Sequence, residues 1–150
     1  MNRSSGKQLC MLALLLLAAT SVRANVSLPD VIRSGMVLQQ KQRVPIWGQA
    51  DPGETVTVRF AGQSKKTTTT PDGKWLVKLD PLRATSTPHE MIITGNDFII
   101  LTNILVGEVW LVAGQSNMQR LLSETANGEV AIAKANHPQI RLFNVSRQVA

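Results

Sequence analysis

The 150 residues include 43% hydrophobic and 17% charged side chains, a formal charge of +6 and one cysteine. This supplies apolar material for a core and excludes a disulfide framework, and the length suits one domain, or a small domain plus the start of another, since most domains run to roughly 100–150 residues. The basic balance does not indicate a nucleic-acid partner, because no Lys/Arg cluster is interleaved with aromatic residues.

The first stretch is a targeting signal. Arg3 and Lys7 precede an apolar run from Leu9 to Ala19, and small residues follow at Val22 and Ala24. This pattern predicts a secretory signal peptide over residues 1–24, cut after Ala24. The run falls short of the ~20 apolar residues that span a bilayer, so no membrane association is expected after cleavage. Removing Arg3, Lys7 and Arg23 lowers the formal charge from +6 to +3. Cys10 leaves with the peptide, and no small-residue lipobox precedes it. The expected location is periplasmic or extracellular, and a cysteine-free mature chain suits a bacterial exporter.

Residues 25–105 read as an antiparallel β-sandwich of jelly-roll or immunoglobulin-like type. Val44 to Gly48 is a short β-rich run, and Asp51-Pro52-Gly53 is a turn signal. From Thr55 to Phe60 the pattern alternates, placing Val56, Val58 and Phe60 on one face. Lys65-Lys66 beside four threonines suits a solvated strand edge. A turn at Pro71-Asp72-Gly73 leads into a run with Trp75, Val77 and Leu79 on one face, which Pro81 stops. Met91–Thr94 and Phe98–Leu101 flank Gly95-Asn96-Asp97 as a hairpin. Trp47, Trp75 and Trp110 stand beside aliphatic residues and are expected in the core.

The character changes over residues 106–150. Val109 to Ala113 is a continuous apolar run of the kind buried on both faces of a parallel sheet. Glu129 to Ala135 is expected to be helical, with His137-Pro138 ending the helix, and Ile140 to Val145 is expected to be a strand. Strand, loop, helix and strand in that order open an α/β domain.

The apolar run leads directly into Gly114-Gln115-Ser116-Asn117-Met118. A serine just past the carboxyl end of a parallel strand lies where open α/β sheets place their sites. Gly114 is expected to allow a sharp turn that projects the Ser116 hydroxyl, with the Ser116 N–H directed to the oxyanion of a tetrahedral intermediate. Met118 replaces the second glycine of the G-x-S-x-G elbow, so the motif is not that of the α/β-hydrolases. The same pattern also suits a serine that caps a helix.

The longer string Gly107-Glu108-Val109-Trp110-Leu111-Val112-Ala113-Gly114-Gln115-Ser116-Asn117-Met118 resembles the first catalytic block of the sialate O-acetylesterase family, a branch of the SGNH hydrolases. Gly35-Met36-Val37-Leu38-Gln39-Gln40, Val44 to Gly48 with Pro52-Gly53-Glu54, and Pro138 to Phe143 are similar to other segments of that family. The resemblance implies an N-terminal portion of a carbohydrate O-acetylesterase in which residues 106–150 begin an SGNH-type α/β domain. It implies Ser116 as nucleophile and oxyanion N–H, with Gly114, Gln115 and Asn117 supporting the loop. It also implies an acetylated glycan, such as sialic acid or xylan, as substrate, and no metal or organic cofactor. The histidine base and its aspartate are placed far downstream, so neither His89 nor His137 is assigned that role. Val112-Ala113 stand where the family often has a cysteine or another small residue, and Gln119 where it often has an acid. The competing reading is a carbohydrate-binding or structural β-sandwich module without catalysis, since no base for Ser116 is apparent in the chain.

Overall fold

The computed structural model describes residues 26–145, so the expected signal peptide at 1–24 lies outside them. Seven strands come first: β1 (Val37–Gln39), β2 (Val44–Gln49), β3 (Thr55–Phe60), β4 (Gln63–Thr68), β5 (Lys74–Leu79), β6 (Thr85–Thr94) and β7 (Phe98–Gly107). Five form a sheet in the order β1-β7-β6-β3-β4, while β2 and β5 pair as a separate ribbon. Every pairing is antiparallel except that of β1 with β7, in which Val37 lies opposite Leu105.

Alternation decides which way each strand faces. Val56, Val58 and Phe60 of β3 and Trp75, Val77 and Leu79 of β5 are all buried, as expected from their period of two. They join Ile46 of β2, Met91 and Ile93 of β6, and Ile104 of β7 in one hydrophobic core shared by sheet and ribbon. Fully burying side chains of this size stabilises a fold by ~1.5–3 kcal/mol each. β4 alternates between half-buried and exposed residues without contributing to the core, and it forms the sheet edge. Lys65 and Lys66 lie on this edge, where charge discourages further strand pairing, and Lys65 forms an ion pair with Asp80.

The turns follow their residues. Ala61 and Gly62 both adopt positive φ, at 47° and 78°, in the two-residue connection between β3 and β4. The Gly95-Asn96-Asp97 turn closes the expected β6–β7 hairpin, with Thr94 opposite Phe98 and Gly95 N–H donating to the Asp97 carbonyl at 2.8 Å. Buried Glu54 links this turn to another, accepting from Asp51 N–H at 3.0 Å through Oε2 and from Asn96 N–H through Oε1.

Several expectations are corrected. His89 lies within β6 rather than in a loop, its ring edge-on to Phe60 at 5.6 Å between centroids. The neighbouring ladder shifts register on both sides of His89, which accommodates Pro88 and its missing N–H. Among the tryptophans only Trp75 is in the core. Trp47 alternates with buried Ile46 and is therefore turned outward, 39% exposed, and Trp110 is 80% exposed.

Beyond β7 the chain forms two short 3-10 turns, Ser116–Gln119 and Leu122–Glu124, and one helix, α1 (Gly128–Lys134), close to the helix expected over Glu129–Ala135. Neither 109–113 nor 140–145 is a strand; Leu111 is 90% and Leu142 85% exposed. A strand needs neighbours for its N–H and C=O groups, and no described strand pairs with either run. The second run is instead held by side chains, with Arg141 Nη2 donating to Asn103 Oδ1 at 3.1 Å and the Arg33 guanidinium 5.2 Å from the centre of the Phe143 ring. The described residues therefore form a mostly β unit with few helices. No helix among them is long and apolar enough to cross a membrane.

Candidate active site

The chain reaches the serine segment from the end of β7, where its exit is anchored by polar groups at the tip of β1. Gln40 N–H donates to the Gly107 carbonyl at 2.8 Å. Gln39 uses both ends of its amide: Oε1 accepts from Val109 N–H at 2.8 Å, and Nε2 donates to Glu108 Oε2 at 2.9 Å. Gln40 Nε2 donates to the other Glu108 oxygen at 2.6 Å. These amides, Gln39 foremost and then Gln40, hold the Glu108 carboxyl below its ordinary range, and the Lys41 charge acts in the same direction.

Ser116 itself is exposed and opens the first 3-10 turn. The cap position is Gln115, at φ −99° and ψ −155° and without a side-chain capping bond, so the structure does not use Ser116 as a helix cap. The turn is closed by main-chain groups: the Gln115 carbonyl accepts from Met118 N–H at 2.9 Å and the Asn117 carbonyl from Arg120 N–H at 3.4 Å. At the start of such a turn the first N–H groups have no carbonyl behind them, and Ser116 N–H occupies that position.

Gly114 serves a different purpose from the one its sequence suggests. It is not among the glycines with positive φ; instead, a Cβ at this position would overlap the Met118 side chain. Glycine here leaves room for the Met118 side chain against the main chain of residue 114.

The histidines lie elsewhere. His89 packs on Phe60, and the His137 carbonyl accepts from Ile140 N–H at 2.9 Å. Among the described residues neither histidine is hydrogen-bonded to Ser116. A separate groove of about 710 Å³ lies away from the serine turn, with Trp47, Thr68, Thr70, Lys74 and Leu76 in its lining. The anchoring of the exit by Gln39, Gln40 and Glu108 is the part of the site that periodicity did not reveal. Its only signal was two adjacent amides followed, much later in the chain, by an acid immediately after a glycine.

Comparison with known proteins gives the chain its relatives. The chain is 35% identical to a sialate O-acetylesterase of Mus musculus and 32% identical to that of Homo sapiens, each match covering 90% of this chain. The chain belongs to the sialate O-acetylesterase family. It spans only 28% of the length of these relatives. In structure it is similar to a carbohydrate acetylesterase from Xanthomonas citri, with a TM-score of 0.72 and 31% identity over 76% of this chain and 26% of that one. No protein-family model matches the chain.

Proposed function

We propose that this chain is part of a serine esterase that removes O-acetyl groups from carbohydrates, with Ser116 as nucleophile. The observation that carries the reading is the exposed Ser116 at the head of a tight turn, two residues after Gly114, in a chain 35% identical to a sialate O-acetylesterase. In this reading the Ser116 Oγ attacks the acetyl carbonyl as a histidine takes its proton, and Ser116 N–H donates to the oxyanion. The C–O bond to the sugar breaks, and the sugar hydroxyl leaves with the proton from the histidine. Water then attacks the acetyl-enzyme, releasing acetate and restoring the serine. The histidine and its aspartate belong to the length of the relatives that this chain does not span. That length is also the source of the strand neighbours that would pair residues 109–113 as the opening of an SGNH-type α/β domain, following a jelly-roll or immunoglobulin-like sandwich at 25–105. The proposed substrate is an acetylated glycan of sialic acid or xylan type, met after export through the signal peptide at 1–24.

In the full-length protein, Ser116→Ala is expected to abolish p-nitrophenyl acetate hydrolysis while leaving the melting temperature within a few degrees of the parent; unchanged turnover refutes the nucleophile assignment. Residues 25–150 alone are expected to be inactive, because an unassisted hydroxyl is a poor nucleophile at neutral pH.

A second reading, a glycan-binding β module, is favoured by the groove beside Trp47, which a half-exposed indole lines together with Thr68 and Thr70. Binding of acetylated glycans by Ser116→Ala that is lost on Trp47→Ala would support it.

A further inference from the structure

We propose that Gln39 is a positioning residue for Ser116, acting as a two-ended clamp that fixes the exit of the serine segment from β7; this inference rests on Ser116 being the nucleophile. The run after Glu108 has no strand partner among the described residues, so its direction is set where it leaves the sheet. At that point the Gln39 carboxamide holds the Val109 main chain through its oxygen and the Glu108 side chain through its nitrogen. β1 in turn is held to β7 by the parallel pairing from Val37–Leu105 to Gln39–Gly107, so the clamp is built on the sheet that carries the core.

The chemistry of the position is specific. A carboxamide accepts and donates at once. A glutamate at 39 would still accept from Val109 N–H, but its second oxygen would face the Glu108 carboxylate. Exchanging the groups restores the clamp bonds: Gln39→Glu with Glu108→Gln leaves a carboxylate to accept from Val109 N–H and from the new amide at 108, while that amide's oxygen still accepts from Gln40; only the longer bond from Gln39 Nε2 to the Gln40 carbonyl, at 3.3 Å, is not remade.

The test uses the full-length enzyme and p-nitrophenyl acetate. Misplacing a catalytic group by 1 Å costs about 10²-fold, and a loosened exit is expected to cost less, so Gln39→Glu should lower kcat about tenfold with KM within about twofold of the parent. With reagent in excess, labelling of Ser116 by a fluorophosphonate is pseudo-first order, and its rate constant, which does not scale with the amount of active protein, should fall by the same factor. The exchanged pair should recover most of both rates. Parent-like kcat in Gln39→Glu, or an exchanged pair no better than the single variant, overturns the clamp. If Ser116→Ala retains activity, the nucleophile reading fails and the clamp fails with it; if Ser116→Ala is inactive and Gln39→Glu is unaffected, the clamp alone fails.

Discussion

Replacing Glu54 by glutamine tests what joins two neighbouring turns at one end of the β unit. Glu54 is 8% exposed, and its two oxygens accept from main-chain donors 42 positions apart for Asn96 and three apart for Asp51. The first donor belongs to the β6–β7 hairpin and the second to the turn between β2 and β3. A carboxamide has the same volume but only one acceptor oxygen, so its NH2 must face one of the two N–H groups. The variant loses one hydrogen bond to a charged group, a contribution of ~1.5–3 kcal/mol, and its remaining bond becomes a neutral one of ~1 kcal/mol. The expected loss is about 2–5 kcal/mol, with no cavity contribution, because the side chain keeps its size. At roughly 3–5 °C per kcal/mol for a domain of this length, Glu54→Gln should melt about 6–25 °C below the parent. Far-UV circular dichroism during heating measures this directly, and amide exchange at Asp51 and Asn96 should accelerate in parallel. A melting temperature within 2 °C of the parent would show that the two bonds contribute nothing net, and the account of Glu54 as a tie between turns would be wrong.

Three other outcomes follow from the same coordinates. Gly48→Ala places a Cβ into the Ser27 carbonyl and 2.9 Å from Trp75 Cζ2, so the paired Ser27–Gln49 bonds should open and stability should fall by ~1–3 kcal/mol in urea unfolding; a parent-like midpoint contradicts this packing. The Lys74 ammonium and then the Thr70 hydroxyl hold the exposed Asp72 carboxyl down to about 2; its folded value lies below its unfolded one, so its small stabilisation is complete above the ordinary carboxylate range and is lost as pH falls toward 2, and NMR titration of Lys74→Met should show Asp72 moving back up. Trp110, Leu111 and Val112 are 80%, 90% and 70% exposed in sequence, so a polypeptide of residues 25–150 should self-associate, and Leu111→Lys should reduce the association seen by light scattering; a monomeric parent contradicts it.

The β unit was legible wherever a side chain records its own direction. Val56, Val58 and Phe60 in β3, and Trp75, Val77 and Leu79 in β5, announce both strand and buried face, and Gly95-Asn96-Asp97 announces the hairpin. β1 was not legible, because three residues carry too little pattern and their partner β7 lies far along the chain. Trp47 was misread for a related reason: an aromatic residue beside aliphatic ones suggests burial, but alternation with Ile46 turns it outward.

At the candidate site the motif was legible and its support was not. An apolar run such as Val109–Ala113 shows what a chain gains by burying, whereas pairing depends on neighbours that no periodicity within the run can reveal, and the structure leaves these residues exposed. Gly114 illustrates the same limit at one position, since its lack of a side chain suggested backbone freedom while the space is taken up by Met118. The polar clamp of Gln39, Gln40 and Glu108 is hidden for a third reason: hydrogen bonds between exposed side chains leave no hydrophobic pattern, so the two segments are seen to belong together only once β1 is placed beside β7. Ser116 is thus read from its immediate neighbours in sequence, and the direction in which it is presented is set by residues that topology brings to the end of the same sheet.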